Sequence, residues 1–289
     1  MQPRPYGPFP YVPITDRDPI RWPDGARVAL WVVPNVEFFA LDEPVPEGTG
    51  KVPDVMAWAK RDYGNRVGFF RMMEVMDRHS VPGTVALNAD LCDHHPEIIA
   101  AAVERGWEFM GHGQSNSRRL NQVPPDQERE VIAAALKRIE AATGTRPKGW
   151  LGSGLQETWA TLDHLADEKV EYVADWVNDD EPYWMHLEGG RRLVSIPYTV
   201  EAADKNCFTH LHYTPDDFEQ TLCRQFDVLY REGAASGRVM CIALHPYLIG
   251  VPHRIDSLDR ALAYITGHAG VWRTTGAEIV AAAREQGIE

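Results

Sequence analysis

The stretch "RVALWVVPNVEFF", residues 27–39, decides the fold. Its first half is apolar at every position after Arg27, with none of the alternation of a strand that wets one face. Such a run belongs inside a parallel sheet covered on both faces. Its second half places Asn35 and Glu37 where the strand should end. Similar segments recur at GTVALN (83–88), WEFMG (107–111), PKGWLGS (147–153), VEYVADW (170–176), RLVSIPYTV (192–200), RVMCIALHPYL (238–248) and VWRTT (271–275).

Helical patterns separate these segments, over 68–81, 95–106, 124–144, 158–169, 214–234, 257–268 and 276–287. The clearest is 124–144, where prolines sit at the start, Val131, Ile132, Leu136 and Ile139 form a stripe, and Gly144 ends it. Thr214 is placed to cap the helix that follows it. Strand and helix alternate, which predicts an α/β fold of parallel strands with crossover helices, and seven or eight strands predict a barrel. Residues 1–25, rich in proline and aromatics, read as an irregular arm lying on the surface or on a neighbouring subunit. Residues 26–289 read as one barrel domain. Residues 40–66 show no clear period, and a connection that long tends to be functional.

Composition narrows the function. The 289 residues are 44% hydrophobic and 25% charged, ordinary for a soluble globular protein, with a formal net charge of -13. That charge argues against nucleic acid or an anionic membrane as a partner and makes a neutral or cationic substrate the easier fit. No apolar run reaches membrane-spanning length, and the N-terminus lacks the regions of a signal peptide, so the expected location is the cytoplasm. Cys92, Cys207, Cys223 and Cys241 have no CxxC spacing and read as reduced thiols. Dinucleotide, P-loop and nucleophile-elbow motifs are missing.

Barrel enzymes gather their chemistry at the C-terminal ends of the strands. Those ends carry Asn35 and Glu37, Asn88 and Asp90, His112 with Ser115 and Asn116, Trp150 with Ser153, Asp175 with Trp176, and His245. This order of segments resembles the polysaccharide deacetylase superfamily, also called the NodB-homology or carbohydrate esterase family 4 fold, over roughly residues 25–285. The resemblance implies a distorted (β/α) barrel with about seven parallel strands. It also implies an Asp pair at the first strand end, a His-x-x-x-His metal motif and a late catalytic histidine. The matching positions are Asn35 and Glu37, His112 and Asn116, and His245, so three of five depart from the pattern. PKGWLGS, DWVNDDEPY (175–183), IPYTVE (196–201) and LHPYLIG (244–250) are similar instead to the allantoinase-like branch, typified by metal-independent allantoinases, where the first motif is also an Asn and Glu pair.

The reaction expected is hydrolysis of a C–N amide bond in a small cyclic amide, imide or ureide. It needs an activated water, an oxyanion stabiliser and an acid for the leaving nitrogen. Glu37 is the expected base, its pKa raised by burial, with His112 and His245 as acid or oxyanion partners. Asn35, Asn116, Trp150, Asp175, Trp176, Asp180 and Arg254 are the expected substrate contacts, the aromatics packing a flat ring and Arg254 meeting a carbonyl or carboxylate. His94, His95, His210, His212 and His253 read as surface or supporting residues. No cofactor is required on this reading. Zinc held by Glu37, His112 and Asn116 is the alternative, although an asparagine carbonyl suits zinc poorly. A metal-dependent sugar deacetylase and a non-catalytic binder on the same fold are the competing functions. The allantoinase-like branch further implies a homotetramer.

Overall fold

Side chains alternate across a strand, and in this barrel the alternation assigns every functional residue to a face. The computed structural model describes residues 2–288. Strand β1 (Val28–Val36) is buried along its whole length. Ala29, Trp31 and Val33 point to the barrel interior, while Val28, Leu30, Val32 and Val36 point to the helical layer. Around β1 lie β2 (Thr84–Leu87), β3 (Glu108–Gly111), β4 (Gly149–Trp150), β5 (Tyr172–Val173), β6 (Tyr183–His186), β7 (Arg192–Ser195), β8 (Arg238–Leu244) and β9 (Val271–Thr274). The sheet runs β6-β7-β5-β4-β3-β2-β1-β8, with β9 paired to the start of β1. From β7 to β8 that path contains seven strands, all parallel, and only β6 is antiparallel.

The ladder stays open between β7 and β8. Val239 N–H of β8 donates to the Asp180 carbonyl (3.0 Å), across a cavity of about 250 Å³ lined in part by Val177, Tyr198 and Cys241. The N-terminal end of the barrel is closed by Glu108. Its carboxylate accepts from the Tyr172 hydroxyl (2.7 Å), Thr84 Oγ1 (3.0 Å) and Ala277 N–H (3.0 Å), the last in the first turn of α10 (Gly276–Glu285).

Helices α1 (Val55–Tyr63), α2 (Phe69–Arg78), α3 (Leu91–His94), α4 (Pro96–Glu104), α5 (Glu128–Thr143), α6 (Thr161–Asp167), α7 (Pro215–Glu232), α8 (Pro246–Ile249) and α9 (Ile255–Thr266) complete the chain. The outer faces of β1, β2 and β8 pack on α2, α7 and α9 through residues such as Leu30, Met72, Phe226, Ile242 and Leu262. Each apolar side chain so buried contributes about 1.5–3 kcal/mol. Thr214 caps α7, its side chain accepting from Asp217 N–H, as the sequence predicts.

Two segments differ from expectation. Residues 55–63 form helix α1 rather than irregular chain, capped by Asp54, whose side chain accepts from Ala57 N–H. The period is hidden because Val55 and Met56 face solvent while Arg61 is buried. A π-turn (Gly64–Gly68) joins α1 to α2. Tyr183–His186, given no element by the sequence reading, is the antiparallel strand β6. The arm lies on its own barrel. Ile20 and Trp22 are buried, Phe9 meets Trp176 and Tyr183 edge-on (5.5 and 5.0 Å), and Arg17 pairs with Asp179 (2.6 Å).

The π-turn glycines set how closely α8 approaches. A Cβ on Gly68 would lie 2.1 Å from the Pro246 carbonyl, and one on Gly64 would lie 2.6 Å from Tyr247 N. Gly68→Ala is therefore expected to lose about 1–3 kcal/mol by overpacking, read from urea unfolding. Turnover should fall with it, since α8 directly follows His245.

Candidate active site

Continuing each strand by two residues keeps its inward parity and brings four polar side chains to the C-terminal mouth. Asn35 follows Val33, Asn88 follows Ala86, His112 follows Met110 and His245 follows Ala243. Glu37 continues the β1 series. All are buried: Asn35 is 3% exposed, Glu37 8%, Asn88 0%, His112 2% and His245 7%.

Glu37 is the centre. Its Oε1 lies 3.8 Å from His112 Nε2 and 3.8 Å from His245 Nε2, and it accepts a hydrogen bond from Asn116 Nδ2. Burial pushes the carboxyl pKa up, but His112, His245 and Lys205 together pull it down to about 2. The expectation of a carboxyl raised toward neutrality is thus reversed. Desolvation is present, and the surrounding positive charge outweighs it. Glu37 stays ionised at any ordinary pH and is a poor proton acceptor.

The orientation of Asn116 follows from a chain of donors. Phe38 N–H donates to Asn88 Oδ1 (2.8 Å), which turns Asn88 Nδ2 toward the His112 carbonyl (2.5 Å) and Asn116 Oδ1 (3.1 Å). With its carbonyl occupied there, Asn116 presents its NH2 to Glu37.

The two histidines are fixed differently. His112 Nδ1 lies 2.6 Å from the Leu151 carbonyl, which only accepts, so Nδ1 carries the proton. In the neutral ring Nε2 is then a lone pair, and it has no hydrogen-bond partner among the described residues. His245 donates from Nδ1 to Asp204 Oδ1 (2.7 Å) and from its backbone N–H to Asp204 Oδ2 (2.7 Å). Burial pushes the His245 pKa down, and the carboxylates of Asp204 and Glu37 more than reverse this, leaving it raised. Asp204, wholly buried, went unnoticed in the sequence. It lies 41 residues from His245, at the start of a short helical segment with no local signal. Tyr198 was missed similarly; its hydroxyl accepts from Asn35 Nδ2 (3.0 Å).

The other expected contacts separate. Trp150 is one residue out of phase with the inward positions. It is wholly buried in the outer layer with Leu136 and Leu162, and a Cβ on Gly111 would strike its ring, so it forms no wall of the mouth. Asp175 stands behind His112. It accepts from Gly152 N–H (2.7 Å), and burial, chiefly, raises its carboxyl to about 6. Burial and the Asp175 charge also raise Glu157, so the pair holds a proton more tightly than two free carboxyls would. Trp176 Nε1 donates to Glu157 (3.2 Å) and its ring meets the arm, away from Glu37. Asp180 rims the open seam and a cavity of about 550 Å³ beneath the arm, not the histidine pair. Arg254 lies over Phe208 (4.2 Å) and donates to the Leu248 carbonyl (3.2 Å). His94 stacks on Phe38 (4.6 Å), and His210, His212 and His253 are exposed.

The residues present do not suit a metal of the kind the resemblance implies. Glu37, His112 and Asn116 do meet, but Asn116 turns an NH2 donor, not a carbonyl, toward the centre, and that NH2 already engages the carboxylate. Among the described residues no group of three or more His, Cys, Asp and Glu side chains is placed to hold a metal ion, and no helix is long and apolar enough to cross a membrane.

Comparison with known proteins agrees with this architecture. Residues 50–173 match the polysaccharide deacetylase family model. A Schizosaccharomyces pombe protein named "Putative polysaccharide deacetylase" is 30% identical over 239 residues, 76% of this chain and 74% of that protein. A "probable Polysaccharide deacetylase" of Pseudomonas aeruginosa PAO1 superposes with a TM-score of 0.83 at 29% identity, over 92% of this chain and 94% of that one. A solved structure of Puue Allantoinase superposes with a TM-score of 0.84 at 30% identity, over 93% of this chain and 94% of that one. Seven parallel strands, their inward polar ends and these likenesses together identify the chain as a member of the polysaccharide deacetylase family, hydrolases of carbon–nitrogen bonds.

Proposed function

We propose that this protein hydrolyses an amide bond within a small cyclic amide, imide or ureide, and does so without a bound metal. The observation that carries the reading is the donor chain from Phe38 through Asn88 and Asn116 to Glu37, which puts an amide NH2 where a metal would need a lone pair. The likeness to a solved allantoinase supports the same substrate class. The close burial of the cluster favours a small molecule over a polymer.

Each residue then has a role set by its environment. His112, its Nδ1–H held by Leu151, takes a proton from water at Nε2 as the water oxygen bonds to the ring carbonyl carbon. Glu37 remains a carboxylate and stabilises the imidazolium formed beside it. The second amide hydrogen of Asn116 meets the carbonyl oxygen as it becomes an oxyanion. His245, whose charged form Asp204 and Glu37 favour, gives its Nε2 proton to the nitrogen as the C–N bond breaks, opening the ring to a carboxylic acid and a freed N–H group that is an amine, amide or urea according to the ring. Asp204 and Asn88 position these groups without touching substrate.

Exhaustive chelation, verified by metal analysis, should leave turnover of a cyclic ureide intact. Loss of activity with recovery only on adding zinc would sink the metal-free reading, and activity on acetylated sugars alone would favour the deacetylase alternative. Glu37→Gln, His112→Ala and His245→Ala should each lower kcat by about 10²–10⁴-fold with the fold unchanged by circular dichroism.

Asp204→Asn removes the carboxylate that raises the His245 pKa. The alkaline limb of the pH–rate profile should therefore move to lower pH. The part of folding stability that comes from charged His245 is full at low pH and lost as pH rises through its raised pKa; it should shrink in the same variant. An unmoved limb would remove His245 as the acid.

A further inference from the structure

Each histidine of the site has a carboxylate behind it, but the two are joined differently. Asp204 contacts the His245 ring directly. Asp175 reaches His112 across a single peptide group. Its Oδ1 accepts from Gly152 N–H (2.7 Å), and the carbonyl of the same peptide unit, that of Leu151, accepts from His112 Nδ1–H (2.6 Å). The N–H and C=O of a trans peptide point in opposite directions, so carboxylate, peptide and imidazole form one run of hydrogen bonds.

The run is closely built. Leu151 N–H donates to the Gly111 carbonyl (2.9 Å) and Leu155 N–H to the Gly152 carbonyl (2.8 Å), which fixes the peptide between them. Ser153 Oγ donates to the His112 carbonyl (2.7 Å), tying the main chain of the histidine to the same loop. A Cβ on Gly152 would lie 2.8 Å from the Gln156 carbonyl and 3.1 Å from Asp175 Oδ2, so glycine is what lets the carboxylate come this close. The titratable groups facing Asp175 are His112 and Glu157. Asp175 Oδ2 has no donor among the described residues save a proton on Glu157. Trp176 Nε1–H takes Glu157 Oε1 (3.2 Å) and leaves the other oxygen to carry that proton. Burial raises both carboxyls, Asp175 to about 6 and Glu157 well above its ordinary range, so Asp175 is the one that ionises.

We propose that Asp175 is a positioning residue of the reaction: through the Leu151–Gly152 peptide it polarises His112 Nδ1–H and makes Nε2 the better proton acceptor. Hydrogen bonds in series strengthen one another in a buried site. A carboxylate placed directly on a histidine favours its charged form, as Asp204 does for His245. One peptide further off, it strengthens the base and still lets the ring give the proton up. The proposal rests on the reading of His112 as the base.

The test is Asp175→Asn in the full chain. The amide oxygen still accepts from Gly152 N–H, so the loop stays held while the charge is lost. With allantoin as the probe, kcat should fall about 10–100-fold and KM change less than about 3-fold, with the fold unchanged by circular dichroism. In the ligand-free protein the NMR proton resonance of His112 Nδ1–H should move upfield as its hydrogen bond weakens. If the variant does not fold, the wild type serves. As Asp175 ionises, the Gly152 N–H, Leu151 carbonyl and His112 Nδ1–H resonances should move together with a midpoint of about 6. An unmoved His112 resonance in a folded variant overturns the proposal whatever the rate, as does a Gly152 N–H that titrates without the other two. A moved resonance with no ureide turned over by the wild type would keep the relay and remove the hydrolase reading. Equal turnover by variant and wild type would keep the hydrolase reading and remove the relay.

Discussion

A carboxylate buried to 8% exposure is costly, and most of the mouth of this barrel compensates for the one on Glu37. Asn116 gives it a hydrogen bond, and His112 and His245 face it from either side with their Nε2 atoms. These partners are themselves held. Asn88 orients Asn116, the Leu151 carbonyl sets the His112 tautomer, and Asp204 both anchors and charges His245. The resulting carboxyl at about 2 is a fixed negative charge rather than a proton carrier. On the proposed mechanism the proton chemistry falls to the imidazoles, His112 through its unpartnered Nε2 and His245 through a ring whose charged form Asp204 favours.

The barrel supplies the precision this arrangement needs. β1, β2, β3 and β8 are parallel neighbours in a fixed register, so the residues that follow them emerge at one end. Behind His112 the loop after β4 is tied down by Asp175 on Gly152 N–H, and Asp175 shares its burial with Glu157. Since burial favours the protonated Asp175, its contribution to stability is present below the ordinary carboxylate range and is lost as pH rises through about 6. The acidic run 179–181 has no part in the mouth. Asp179 holds the arm through Arg17, and Glu181 pairs with Arg238 and Ser236, so charges that suggested a pocket wall secure the open side of the barrel.

The sequence by itself determined the α/β class, the seven parallel strands, most of the helices, the family, and the candidates Glu37, His112 and His245. The class, strands and helices are written in local periodicity, the candidates in polar residues ending apolar runs, and the family in the resemblance those segments carry. Helix α1 was not legible because its exposed apolar and buried basic residues invert the usual pattern, and β6 was hidden within an acidic, proline-containing turn. Tertiary structure alone decided which candidates meet. Parity turned Trp150 outward although it stands at a strand end, and the seam drew Asp180 and Trp176 toward the arm. Nor could sequence show the Asp204–His245 pair or the direction of the Asn116 amide. Each depends on side chains tens of residues apart facing one another across a few ångströms, where hydrogen-bond direction and the sign of a pKa shift are set.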